Sequence, residues 1–456
     1  MYQHMTNLES RCLHMAYRWT AVEAGHLLRR ACFSARPDEI AASLELGREK
    51  TVEALLSGQP LVKTNNGMKK VLPMDEVKVD GKPLKSTDIL HQKLYWIYRM
   101  IHSSAPLKEK MTLFWHGHFA TSDYKVDDPE LMARQNQLFR DHALGSYKEL
   151  LLEVCKDPAM MIWLDMNRNQ KGKPNENFAR EVLELFTLGN GHYTEQDVKE
   201  AARAFTGWQV DKKTQKVWFE PRLHDQQEKK VLGVRGELNS GDVIELLFQK
   251  KELGVFMARK LLQYFVAEQP PLLWVELVAR DFRSKKTVGE VLRSIFLSDA
   301  FYSPQVMRRL VRPPVDYVVG IMRVLELPLS KAYLTALARM QQDIYFPPDV
   351  SGWKGGRNWL ETSALLARCQ FAEEIAFKVD ANVLTSKRFT PEKSDDAQIW
   401  VRQWAEAAGV GELGNRTRET LEQYVRKVMA GSKPPYGDKL RGMLYLLLAS
   451  PEAQMM

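Results

Sequence analysis

Apolar residues recur at three- and four-residue intervals through most of this 456-residue chain. That spacing puts them on one stripe of an α-helix. The stripe is plain in Ala24, Leu27, Leu28 and Ala31, in Ile89, Leu90, Leu94, Ile97 and Ile101, and in Val288, Leu292, Ile295 and Phe296. Strand-like patterning is confined to two regions. Residues 58–85 contain Val77-Lys78-Val79 followed by Asp80-Gly81, a hairpin signal, and residues 209–236 alternate weakly from Gln215 to Phe219. The chain is therefore predicted to be mainly α: a multi-helix globular bundle around a single core, with a small β-hairpin excursion. A main helical domain is expected over residues 1–376, with the β-like insertions at about 58–85 and 209–236. A C-terminal helical extension over 377–456 is expected to pack on it, with Phe377 to Asp396 as the linker candidate.

Charge and cysteine usage narrow the functional classes. Lys plus Arg exceed Asp plus Glu by 65 − 57 = 8, but the excess is scattered, with only pairs such as Lys229-Lys230 and Lys285-Lys286. A nucleic-acid binder concentrates such charge in a stripe, so the excess reads as solubility, and RNA or DNA binding is a third, weaker option that salt-dependent binding would test. Cys12, Cys32, Cys155 and Cys369 form no Cys-x-x-Cys pair, which argues against a cysteine zinc site or a disulfide framework. No stretch approaches the roughly 20 apolar residues that cross a bilayer. Met1 to Thr20 contains Arg11, His14 and Arg18 and has no continuous apolar core. As written, the chain is expected in the cytoplasm; export after removal of a signal peptide is the alternative.

Polar chemistry gathers in four stretches. In Pro174–Gly189, Phe178, Val182 and Leu185 mark an apolar stripe, while Asn177, Glu181 and Glu184 fall at i, i+4 and i+7 and form an acidic edge. Pro174 and Asn175 suit its start and Gly189 its end. In Phe114-Trp115-His116-Gly117-His118-Phe119 the two imidazoles would oppose each other on a regular helix. A break at Gly117 would instead point both the same way, as a metal half-site. His224-Asp225 pairs a neutral-pH base with a carboxylate, to orient an imidazole or to cap a loop. Tyr345–Gly356 is a Pro- and Gly-shaped loop whose Trp353, with Trp359, either walls a pocket or packs beneath it. His26, ahead of Arg29-Arg30, reads as a packed residue.

Two functions fit these residue types. A metal-assisted hydrolase would bind a divalent metal ion through His116, His118 and His224, with Glu181, Glu184 and Asp225 as catalytic carboxylates. Asn177, Arg180 and Trp353 would then bind substrate. A non-enzymatic scaffold would pair Arg29, Arg30 or Arg180 with Glu181 and Glu184 in a buried network.

Several stretches together resemble the bacterial family called domain of unknown function 1800. They are His26–Arg30, Phe114–Phe119, Pro174–Glu181, Tyr193–Val198, Ala204–Trp208, His224-Asp225 and Pro347–Trp353, in that order. The resemblance implies a predominantly helical protein, frequently exported, that in many cases accompanies a sulfatase-like protein partner; it implies no reaction. Two features depart from the pattern. The exported members' signal is missing, and Gln226-Gln227-Glu228 replaces the glycine usual after the His-Asp pair.

Overall fold

The computed structural model describes residues 18–62, 71–386, 388–389, 396–431 and 438–456. The reading of Met1 to Thr20 lies almost wholly outside the described residues. So do the Asn65-Asn66-Gly67 turn, Gly437 at the start of the last helix, and part of the linker candidate. Helices make up the body, with three two-stranded antiparallel hairpins among the described residues. Local chemistry explains many of the boundaries. Thr20 and Glu23 form a capping box on the helix Ala21–Ala31, and Thr194 and Asp197 form another on Glu195–Ala204. Asp80 and Gly81 both adopt positive φ, as a two-residue turn between Lys78–Val79 and Lys82–Pro83 requires. The region 209–236 holds two hairpins where one was expected, Trp208–Asp211 with Lys216–Phe219 and Lys229–Val231 with Val234–Gly236.

The expected single core is two clusters. One gathers the Ala21–Ala31 helix, the segment around Phe178 to Phe205 and the helices up to Phe296. The other joins the helix Ile89–His102 to the helices Pro314–Leu325 and Thr362–Lys378 and to the C-terminal helices. Ile162 and Trp163 pack against both. A chain of this length outgrows one apolar centre, so two centres share a seam. The helix Pro106–His118, here the histidine helix, lies on that seam: Met111, Phe114 and Trp115 enter the first cluster and Leu113 the second. The linker candidate is no tether where described, since the helix Thr362–Lys378 runs into it and Leu384 is buried. Among the described residues, no helix is long and apolar enough to cross a membrane.

The central stretch departs from a plain helix. Asn175 caps it by accepting the Asn177 N–H at 3.0 Å, and Glu176–Glu181 is α-helical. Val182–Thr187 then forms a wide π-turn, closed by the Leu188 N–H on the Leu183 carbonyl at 2.9 Å. The inserted residue rotates the buried face. Leu185, expected beside Phe178 and Val182, is only half-buried, while Leu183 and Phe186 are fully buried. Asn177, Glu181 and Glu184 consequently do not continue one α-helical stripe.

Candidate functional site

Two of the four polar stretches meet through glycines. The histidine helix stays helical through Gly117 and His118, ending with the Phe119 N–H on the Trp115 carbonyl at 2.8 Å. Gly117 is thus not the expected break. Its role is close approach: a Cβ on Gly352, at φ +80°, would stand 2.5 Å from the Gly117 carbonyl oxygen. The Pro347–Trp353 loop therefore lies directly on the histidine helix.

Because the helix is regular, the two imidazoles point apart. His116 is buried between Trp96, Tyr345 and Trp353, and its Nε2 accepts the Tyr345 N–H at 3.0 Å. Burial pushes its pKa down to about 3. His118 faces the first cluster, with Nε2 3.0 Å from the Tyr147 hydroxyl, which donates to the Phe186 carbonyl. The hydroxyl has one proton, so Nε2 must carry the imidazole N–H and Nδ1 the lone pair. That Nδ1 is buried and, among the described residues, has no partner. Burial, then the charge of Lys260, holds His118 well below the ordinary histidine range.

His118 and Trp353 line one cavity of about 280 Å³ between the histidine helix, the helix Lys251–Phe265 and the loop. Phe114, Tyr264 and Trp359 complete an aromatic wall, and Lys260, Lys354 and Glu268 supply charge. Lys260 is half-buried and, among the described residues, has no carboxylate partner; its ammonium lies 5.5 Å from the Phe256 ring centroid. Desolvation lowers its pKa. Phe256, Lys260 and Tyr264 stand at i, i+4 and i+8, so an aromatic–lysine–aromatic stripe was available in the sequence but masked by the stronger apolar period around it. A larger cavity of about 340 Å³ lies near Arg36 and Arg323. Its charges are already paired, Arg36 with Asp38 and Arg323 with Glu39.

The other expected site residues lie outside that cavity. Burial, then Glu184, pushes Glu181 upward, and Asp349 of the loop adds to this; Arg180 works against it. Glu184 accepts from Tyr193 at 2.6 Å and from Asn190 at 3.3 Å. Neither carboxylate ends on an arginine, so the buried Arg–Glu network is not formed. Arg180 instead forks Glu195 at 2.7 and 2.8 Å and reaches Glu176 at 3.1 Å, tying two helix starts together. Asn177 is exposed. Near the hairpins, His224 Nδ1 sits 2.9 Å from the Thr206 carbonyl oxygen. Asp225 takes Arg203 at 2.7 Å and caps the Gln227 N–H. Burial alone would raise Asp225, but Arg203 and that N–H outweigh it and hold it below the ordinary range. The pair fastens a loop. Among the described residues, no group of three or more His, Cys, Asp or Glu side chains stands close enough to hold a metal ion.

A family model described as "Protein of unknown function (DUF1800)" matches residues 26–455, nearly the whole chain. No curated protein and no solved structure matches.

Proposed function

This chain belongs to the DUF1800 family, and from that premise we propose that it is a hydrolase of acid–base type acting on a compact, ring-bearing anionic molecule. The observation that carries the reading is Lys260, a half-buried cation with no carboxylate partner among the described residues, which shares an aromatic-walled cavity with a His118 held neutral by burial. Trp353 and Trp359 offer flat faces to a ring, and Lys260 with Lys354 favours negative charge. In the reaction, His118 Nδ1 takes a proton from water as the water oxygen bonds to the electrophilic atom. Lys260 gives its proton to the departing group, and the imidazolium then returns its own to the amine. An anionic substrate would raise the depressed His118 toward the range in which it can act as a base.

The metal-assisted version would need His116, His118 and His224 on one ion. His116 and His118 lie on opposite sides of one helix and His224 belongs to the hairpin loop, so the proposal rests on His118 and Lys260.

A panel of chromogenic aryl esters, aryl phosphates and aryl glycosides should yield at least one substrate. Its turnover should fall by about 10²–10⁴-fold in Lys260→Met and in His118→Asn. Equal rates in the wild type and both variants would sink the reading. Ligand binding without turnover would instead favour an accessory scaffold beside a sulfatase-like partner.

A further inference from the structure

A second place concentrates positive charge with little counter-charge among the described residues. The helix Ala21–Ala31 ends in Arg29, 7% exposed, and Arg30, 0% exposed. Arg308 and Arg312 close on them, and Arg29 lies within charge–charge range of all three. Glycines make the room. Arg29 Nη1 and Arg308 Nη2 stand 3.4 and 2.9 Å from the one position a Cβ on Gly411 would take, and Arg29 Nη1 is 3.1 Å from that of Gly25.

Among the described residues, the hydrogen bonds of these groups go only to backbone carbonyls. Arg30 donates to Val306, Arg308 to Glu452 and Val410, and Arg312 to Phe33. Among the described residues, Arg29 Nε, both Nε and Nη1 of Arg30, and the adjacent His26 Nε2 are buried with no partner. Opposing charge is sparse: Glu412 faces Arg29 and Arg308, and Glu452 faces Arg308. Asp316 is taken by Lys110. Other buried arginines have carboxylate or side-chain partners, although Arg323 Nε is also left without one among the described residues. Arg140 forks Glu109, Arg323 reaches Glu39, and all three nitrogens of Arg368 find oxygens.

A guanidinium does not shed its charge as a buried lysine can, so an unpaired cluster retains the full desolvation penalty. We propose that Arg29, Arg30 and Arg308, beside His26, form a binding site for a compact oxyanion, a phosphate or sulfate group either free or carried on a larger molecule. Such a group accepts several N–H bonds at once, and the planar forks of arginine match it. The remaining exposure of Arg29 is the way in.

Calorimetric titration and thermal unfolding with inorganic phosphate, against chloride at equal ionic strength, test the site. Saturable phosphate binding with a raised unfolding temperature is expected. Affinity should weaken by on the order of 10- to 100-fold in Arg29→Met and in the milder Arg29→Lys, each losing charge-assisted hydrogen bonds. Lys260→Met should retain the binding, which separates this site from the aromatic cavity. Glycerol phosphate binding more tightly than inorganic phosphate would assign the site to a tethered group; the reverse order would assign it to the free ion. A phosphate response no larger than that of chloride, one unchanged in both Arg29 variants, or one lost only in Lys260→Met would overturn the proposal.

Discussion

His116 is held uncharged by burial, and this couples stability to pH. Its folded pKa of about 3 lies below the unfolded value of roughly 6.5. As pH falls through that window the unfolded chain takes up a proton that the native side chain refuses. Stability is therefore fully present above about 6.5 and lost progressively toward 3, by on the order of 5 kcal/mol for this group. Denaturant midpoints at pH 7, 5 and 4 should fall, and the slope should flatten in His116→Gln, which keeps an acceptor for the Tyr345 N–H. An unchanged slope would place the titration elsewhere. Lys260 makes the opposite kind of statement. Its charge is desolvated without a partner, so Lys260→Met should stabilise the fold by about 0.5–2 kcal/mol while removing activity, as strained functional positions do. A destabilised Lys260→Met protein would mark a structural lysine. At this scale His116, His118 and Trp353 were singled out by the sequence as candidates. Lys260 was not, because a single lysine in an apolar helix looks like a solvated position until its neighbours are known.

Elements meet here through backbone, and glycine positions decide where. Gly352→Ala must accommodate both a φ of +80° and a Cβ 2.5 Å from the Gly117 carbonyl. It should cost about 1–3 kcal/mol and shift the loop that carries Trp353. Gly117→Ala meets only the Trp353 ring at 4.0 Å, so it should be neutral or gain up to about 1 kcal/mol of helix propensity. Thermal unfolding and ligand affinity of the two variants check the contrast; equal losses would contradict it. Helix caps such as Thr194 and the Asp80-Gly81 turn were readable because their causes span four residues or fewer. The π-turn after Glu181 was not readable. Its extra residue is accommodated by packing of Leu183 and Phe186 against partners far along the chain, and it turned an expected acidic stripe into separate groups.

At the scale of the whole molecule, the two apolar clusters are joined across the histidine helix by the fully buried Lys110–Asp316 pair. Asp316→Ala would strand the ammonium and should cost about 3–5 kcal/mol in chemical denaturation. Lys110→Met combined with Asp316→Leu should recover most of that loss; failure to recover would mean that the pair specifies how the helices seat. Periodicity along the chain determined that this protein is helical and where the Asp80-Gly81 hairpin turns, because burial period, caps and turn geometry act over a few residues. Only the tertiary structure decided that Lys260 shares a cavity with His118, that His224 serves a loop, and that Arg29 and Arg30 form no salt bridge among the described residues. Those outcomes depend on side-chain volumes and backbone approach between segments hundreds of positions apart, and no local pattern encodes them.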